Sequence, residues 1–159
     1  MVPMNQEIEA RRNAPHFILQ RFPYEEPHIL NLVLSAGNGN LAGKLEFYCN
    51  TLDLADLGMK LSEFPKAPGD YCTYERGSRL PEHRFAYHLR LHAYTSDSVG
   101  HCGLQIAMSN NGRGPAEESC SFSISAEPAA LNRLGSLLTT FGGLNHSELH
   151  WYVSDGHLL

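Results

Sequence analysis

The chain has 159 residues, with 12 Lys or Arg against 17 Asp or Glu for a formal net charge of -5; 42% of its residues are hydrophobic and 18% charged. That length suits one domain whose core needs no covalent staples, and the apolar fraction excludes an intrinsically disordered chain. The acidic balance argues against nucleic acid as a partner, because a duplex-binding domain ordinarily carries a basic excess. No apolar run approaches the ~20 residues that cross a bilayer, and residues 1–12 carry charges where a secretory signal needs an apolar stretch, so a cytoplasmic protein without a membrane role is expected.

Residues 1–27 read as a flexible N-terminal arm and residues 28–159 as a single α+β domain. Residues 16–27 are rich in aromatics and proline and are expected to lie extended on the body, with at most a short edge strand over residues 17–20. Leu30, Leu32 and Leu34 then alternate with Asn31, Val33 and Ser35, which is the two-residue period of a strand. Gly37, Asn38, Gly39 and Asn40 supply residues that tolerate a left-handed backbone, so a hairpin turn is expected there. On the return strand Leu45, Phe47 and Cys49 share one face, and Lys44, Glu46 and Tyr48 the other.

A helix follows, capped by Asn50 or Thr51, with Asp53 and Asp56 placed where the helix dipole favours anions. Leu54, Leu57, Leu61 and Phe64 make its apolar stripe, and Pro65 stops it. Gly58 inside the helix costs about 1 kcal/mol against alanine; it is expected to mark a close approach to the sheet. A short strand at residues 71–75 and a polar turn at 77–82 precede a long strand over 84–94. There Phe85, Tyr87, Leu89, Leu91 and Ala93 alternate with Arg84, His88, Arg90 and His92, so one face packs on the core and the other shows basic and imidazole groups to water.

A return strand at residues 101–109 turns Cys102, Leu104, Ile106 and Met108 inward. After a glycine-rich loop at 110–117, Cys120, Phe122 and Ile124 alternate with Ser119, Ser121, Ser123 and Ser125. Such a serine face is either simply solvated or a flat patch that a partner can approach closely. Pro128 then opens a second helix at the position proline favours, with Leu131, Leu134, Leu137, Leu138 and Phe141 as its stripe and Gly142-Gly143 as its end. The tail carries His146, His150, Trp151 and His157, with a short closing strand at 151–153. Two helices with single apolar stripes need one apolar sheet face, so the expected fold is α+β: a two-layer, twisted antiparallel sheet of about six strands with two helices on one face.

The four cysteines fall one per strand without C-x-x-C spacing and read as small buried hydrophobes, not thiolate ligands. His88 and His92 share a strand face but stand ~13 Å apart, too far to hold one zinc at ~2.0–2.1 Å. No metal and no cofactor is therefore expected. The carboxylates are dispersed and no glycine-rich phosphate loop is present, so no catalytic residue is assigned. What remains is a surface. Arg84, His88, Arg90 and His92 on the open side of the sheet, with Arg113 in the long loop, are the candidate partner-binding residues.

The order and spacing of the elements carry a resemblance. The turn and strand "GNLAGKLEFYCN" lead to the helix "TLDLADLGMKLSEFP"; the paired strands "FAYHLRLHAY" and "HCGLQIAMSN" follow; and the strand-to-helix unit "SCSFSISAEPAALNRLGSLLTTF" closes the set. Over residues 30–141 this resembles the small bacterial immunity proteins of the WapI-associated type and their uncharacterised relatives. The resemblance implies a cytoplasmic, non-enzymatic protein-binding module that neutralises a cognate toxin domain, without catalytic residues. The alternative is a small enzyme or ligand-binding domain that uses the His/Arg-rich sheet face. A scaffold subunit acting through sheet-edge pairing is a third reading.

Overall fold

The structure is a computed structural model that describes residues 3–6 and 14–159. Residues 1, 2 and 7–13 of the expected arm lie outside the described residues. Nine strands and two α-helices follow in the order β1 (His16–Phe22), β2 (Leu30–Gly37), β3 (Ala42–Cys49), α1 (Thr51–Ser62), β4 (Tyr71–Gly77), β5 (His88–Thr95), β6 (Cys102–Ser109), β7 (Ser119–Ala126), α2 (Pro128–Phe141), β8 (Glu148–Tyr152) and β9 (Gly156–Leu158). Residues 4–6 are also helical.

The fold is α+β, but the strands make two antiparallel sheets and not the expected single sheet of about six. One is five-stranded in the order β3-β2-β1-β8-β9; the other is four-stranded in the order β4-β5-β6-β7. The chain thus runs through two successive units, each an antiparallel meander followed by a helix, and its last two strands return to the first sheet. The physical reason for the split lies at β3. A β-carbon on Gly43 would stand 2.5 Å from Cys120 Sγ and 2.8 Å from Met108 Cε, so β3 crosses over the second sheet and cannot pair beside it.

Segment 16–22 is also corrected. It is no edge strand: β1 pairs with β2 on one side, with Leu19 opposite Leu34, and with β8 on the other, with Phe17 opposite Trp151. Its alternation is short because only Phe17 and Leu19 point into the core, where both are buried. Trp151 then fixes the second helix on this sheet, since its indole Nε1 donates to the Ala130 carbonyl at 2.8 Å.

The expected hairpin of β2 and β3 forms, with Leu32 opposite Phe47 and Leu34 opposite Leu45. Its turn is closed by the Asn38 side chain, whose Oδ1 accepts from the amides of Asn40 and Leu41 at 2.9 Å each. Asn50 caps α1, its Oδ1 accepting from the Asp53 amide at 2.9 Å. Leu57, Leu61, Leu134 and Leu138 are buried in one cluster with Leu32, Leu34, Phe47, Leu89, Leu91, Ile106, Phe122 and Ile124. The helices lie among the inner faces of both sheets, and a void of about 10 Å³ where both sheets and both helices meet is lined by Phe17, Leu61, Leu91 and Leu134, among others.

Gly58 marks a close approach, but to the other helix and not to the sheet. A β-carbon there would lie 2.8 Å from the Gly135 carbonyl oxygen, and one on Gly135 would lie 2.6 Å from that of Gly58. Each of these glycine carbonyls also accepts from a hydroxyl four residues on, Ser62 Oγ at 2.7 Å and Thr139 Oγ1 at 3.0 Å. Asn132 completes the crossing from α2: its Nδ2 donates to the carbonyls of Leu61 and Phe64, at the open end of α1.

The histidine tail is ordered structure. His150 on β8 stacks on His157 of β9, ring centroids 4.8 Å apart and planes 12° apart. Burial lowers the His150 pKa, and the neighbouring His157 lowers it further. Glu148 pulls the other way but stands 3.7 Å from His150 Nε2, beyond hydrogen-bonding range, and that nitrogen has no hydrogen-bond partner. A pKa held below its unfolded value means that the folded state binds fewer protons. The stability it contributes is therefore present above the unfolded value, about 6.5, and is lost as pH falls through the folded one. His150→Gln should flatten the loss of stability between pH 7 and pH 5, measured by urea unfolding at each pH; equal losses in variant and wild type would show that His150 does not contribute.

Candidate functional site

The four-stranded sheet has one face in the core and one open. The open face presents Tyr71, Thr73 and Glu75 from β4, His88, Arg90, His92 and Tyr94 from β5, Gly103, Gln105 and Ala107 from β6, and Ser119, Ser121, Ser123 and Ser125 from β7. Tyr71, Thr73 and Glu75 are exposed, as are Ser119, Ser121 and Ser125, while His88, Arg90, His92 and Tyr94 in the middle are half-buried by their neighbours.

Three rings run in a row across it. Tyr71 and His92 have centroids 5.8 Å apart with a 39° tilt; His92 and Tyr94 are 5.7 Å apart and nearly parallel at 17°. Tyr94 lies over Gly103, where any β-carbon would meet the ring at 2.6 Å, and its hydroxyl bonds Ser123 Oγ at 3.0 Å. Glycine at this position lets the tyrosine lie close to the sheet. The serines beside it add no bulk, so the face stays flat.

Of the residues expected on this face, the structure brings His88, Arg90 and His92 together on β5. Each has a local partner. His88 Nε2 stands 3.0 Å from Glu75 Oε2, Arg90 Nη1 donates to Gln105 Oε1 at 2.8 Å, and His92 Nδ1 is hydrogen-bonded to Thr73 Oγ1 at 2.7 Å. Burial, and then the Arg90 charge, lower the His92 pKa, so its ring is the more firmly neutral at physiological pH. The row is thus less basic than its residue types suggest, since Glu75 sits opposite Arg90 in the ladder and offsets its charge.

Arg84 is not on this strand. The ladder between β4 and β5 ends where Gly77 faces His88, so residues 84–87 have no strand to pair with. A 3-10 turn over Pro81–His83 ends at Arg84 in the left-handed region (φ 56°), and Phe85 stands 47% exposed. Tyr87 alone keeps the expected inward direction; its hydroxyl donates to the Tyr48 carbonyl at 3.1 Å. The turn carries Arg84 to Arg113, and the two line one cleft with Arg79, Leu80, Phe85 and Asn111, about 510 Å³ in volume. The expected set of five therefore splits into a sheet face and a loop cleft.

Among the described residues, no group of three or more His, Cys, Asp or Glu side chains could hold a metal ion. His92 faces Gln105 across the hairpin, and His101 lies beyond the end of that ladder. There His101 Nδ1 contacts Asp97 Oδ2 at 2.5 Å, and that bond raises the His101 pKa. An aspartate-oriented histidine is half of a catalytic arrangement, but its Nε2 faces Glu127 Oε1 at 3.8 Å and no nucleophile hydroxyl or thiol. The four cysteines are free, and Cys49, Cys72 and Cys102 are buried. Burial pushes the Cys49 thiol up to about 12, the opposite of what a reactive thiolate needs.

No family model matches the chain, and no curated protein matches it. Among solved structures a plant transcriptional regulator, PBF-2, is similar at 9% identity and a TM-score of 0.45, over 81% of this chain and 76% of that one. A likeness at that level carries no argument about this chain's function. No described helix is long and apolar enough to cross a membrane.

Proposed function

We propose that this chain is a non-catalytic protein-binding module whose contact surface is the open face of the four-stranded sheet. The observation that carries the reading is the row Tyr71, His92 and Tyr94 beside Arg90, on a face that no other described element covers. Tyrosine and arginine are the residue types that most often dominate binding energy, because they combine a large apolar body with a polar tip. The serine stripe of β7 lets a partner backbone come close. The partner is a folded domain of complementary flatness with carboxylates near Arg90, which a charge on a mostly neutral face would orient. Within this class the resemblance over residues 30–141 favours a bacterial immunity protein acting in the cytoplasm on a cognate toxin domain. The enzyme reading has less support, since the perturbed groups, His92, His101, His150 and Cys49, lie at separate places in the fold.

The test is binding by calorimetry to a toxin domain encoded beside this chain, where its gene has such a neighbour, for wild type and Arg90→Gln/Tyr94→Ser. Truncating such anchors typically costs about 2 kcal/mol or more, roughly thirtyfold in affinity. A double variant that retains its fold and binds as tightly as wild type would remove the sheet face from the interface. If the wild-type chain fails to bind that domain at all, the immunity role is excluded.

A further inference from the structure

We propose that the cleft between residues 79–86 and 109–117 is a binding site for a small molecule that carries a phosphate monoester on an apolar or aromatic body. The inference is independent of the sheet face.

The first observation is how the arginines are used. Four of the seven described ones are engaged. Arg21 pairs with Glu26, Arg76 donates to the Tyr48 carbonyl, Arg90 to Gln105, and Arg133 to the carbonyls of Tyr152 and Val153. The other three, Arg79, Arg84 and Arg113, make no side-chain hydrogen bond and no ion pair among the described residues, and all three line this one cleft. Three exposed guanidiniums without a described protein partner, gathered at one cleft of a protein with a net charge of -5, repel one another and have no internal reason to converge. A guanidinium's planar fork matches phosphate oxygens in bidentate geometry. Glu117 is the one carboxylate lining the cleft. Three positive charges less one negative leave an excess of two, the charge of a phosphate monoester near neutral pH.

The second observation is that the cleft is preformed. Asn111 bolts its two loops together: Nδ2 donates to the carbonyls of Ser78 at 2.8 Å and Phe85 at 3.0 Å, and Oδ1 accepts from Ser109 Oγ at 3.1 Å. Arg84 and Asn111 are two of the three non-glycine residues with positive φ among the described residues, at 56° and 50°. Asparagine adopts that conformation readily and arginine does not. Backbone strain of this kind persists where the surroundings over-determine it, and it gathers at ligand clamps. The third observation is the wall. Leu80 and Phe85 are 52% and 47% exposed and line the same cleft as the arginines. They offer an apolar surface beside the cationic end, and about 510 Å³ falls in the range of small-molecule sites, about 300–1,000 Å³.

Phenyl phosphate, inorganic phosphate and benzoate separate the elements of the proposal, each titrated into the full chain and read by amide chemical shifts. Phenyl phosphate should give saturable shifts in residues 79–86 and 111–117, and should bind more tightly than inorganic phosphate, which lacks the ring, and than benzoate, which lacks the second charge. Arg79→Gln/Arg113→Gln leaves the strained Arg84 backbone untouched and should weaken phenyl phosphate by on the order of tenfold or more per arginine removed. Arg84→Gln alone should weaken it by about tenfold, and Arg90→Gln on the sheet face should leave it unchanged. Circular dichroism shows whether each variant is folded. The absence of saturable shifts at millimolar phenyl phosphate, or equal binding by folded arginine variants, would overturn the site. Benzoate binding as tightly as phenyl phosphate would overturn the dianion. A phosphotyrosine peptide binding more than about tenfold tighter than phenyl phosphate would reassign the cleft to a protein segment and overturn the small-molecule ligand.

Discussion

Trp151→Ala should destabilise the chain by about 3–5 kcal/mol, the cost of truncating a fully buried aromatic. Trp151 is the sole tryptophan and is 0% exposed. It sits opposite Phe17 in the first sheet and donates its indole proton to the Ala130 carbonyl in the first turn of α2. The side chain thus joins the returning strand β8, the N-terminal strand β1 and the second helix. Removing it opens a cavity where these three elements meet. Trp151→Phe separates the contributions: it keeps most of the packing and loses the hydrogen bond, so it should cost about 1 kcal/mol for that bond plus the smaller volume change. Urea unfolding followed by far-UV circular dichroism measures both, because the variants lack the indole as a fluorescent reporter. A loss below about 1 kcal/mol for Trp151→Ala would mean that the site collapses around the deletion, and that β8 is not held as described.

Gly135→Ala should destabilise the chain although alanine is the better helix former. In an exposed helix the substitution gains about 1 kcal/mol. Here the new β-carbon would lie 2.5 Å from the Ser62 amide nitrogen and 2.6 Å from the Gly58 carbonyl oxygen. Both are backbone atoms of α1, so no side chain can swing aside and the helices must part. Overpacking of this kind costs about 1–3 kcal/mol. Parting the helices also pulls Asn132 from the Leu61 and Phe64 carbonyls and leaves the end of α1 without those donors. The net effect should be destabilising by about 1–3 kcal/mol, and Gly58→Ala should behave alike, since its β-carbon meets the Gly135 carbonyl oxygen at 2.8 Å and the Thr139 amide nitrogen at 2.9 Å. Equilibrium unfolding of the two single variants checks this; an increase in stability would show that the helices do not cross at the glycines.

The period-2 and helical patterns locate β3 to β7 and both helices to within a few residues, because each of those segments has one face drier than the other; the leucine alternation also marks β2, but that strand is buried on both faces, Asn31 and Val33 included. Arrangement was less legible. Periodicity says which face of a strand is apolar but not which sheet it joins, and the division into two sheets rests on the Gly43 crossing, a contact between segments far apart in the chain. β1 and β8 were legible only in part, as a short edge strand at 17–20 and a closing strand at 151–153, because each turns only two large side chains inward, Phe17 with Leu19 and Leu149 with Trp151, too few to set a period. Residues 84–87 misled for the opposite reason. They continue the alternation of β5, yet a strand also needs a neighbour, and β4 has ended by then.

The same limit governs the surface. Tyr94 shares parity with His88, Arg90 and His92, so its place on the open face could be read from the pattern, and Gly103 opposite it was the cue that a ring lies flat there. Arg79 carried no signal, sitting in a polar turn with nothing to give it a direction. Its meeting with Arg84 and Arg113 depends on the 3-10 turn over Pro81–His83 and on Asn111, which join loops about thirty residues apart in the chain.

Side-chain footprinting by hydroxyl radicals, on the free chain and on its complex with the proposed partner domain, tests the proposed interface most directly. Tyrosine and histidine rings on the open sheet face report contact without any substitution. Tyr71, His92 and Tyr94 should become protected, while Tyr24 and Tyr48, which are 78% and 41% exposed and lie off that face, should react as they do in the free chain. Protection of Tyr24 and Tyr48 with Tyr71 and Tyr94 unchanged would place the partner elsewhere and contradict a binding role for the four-stranded sheet.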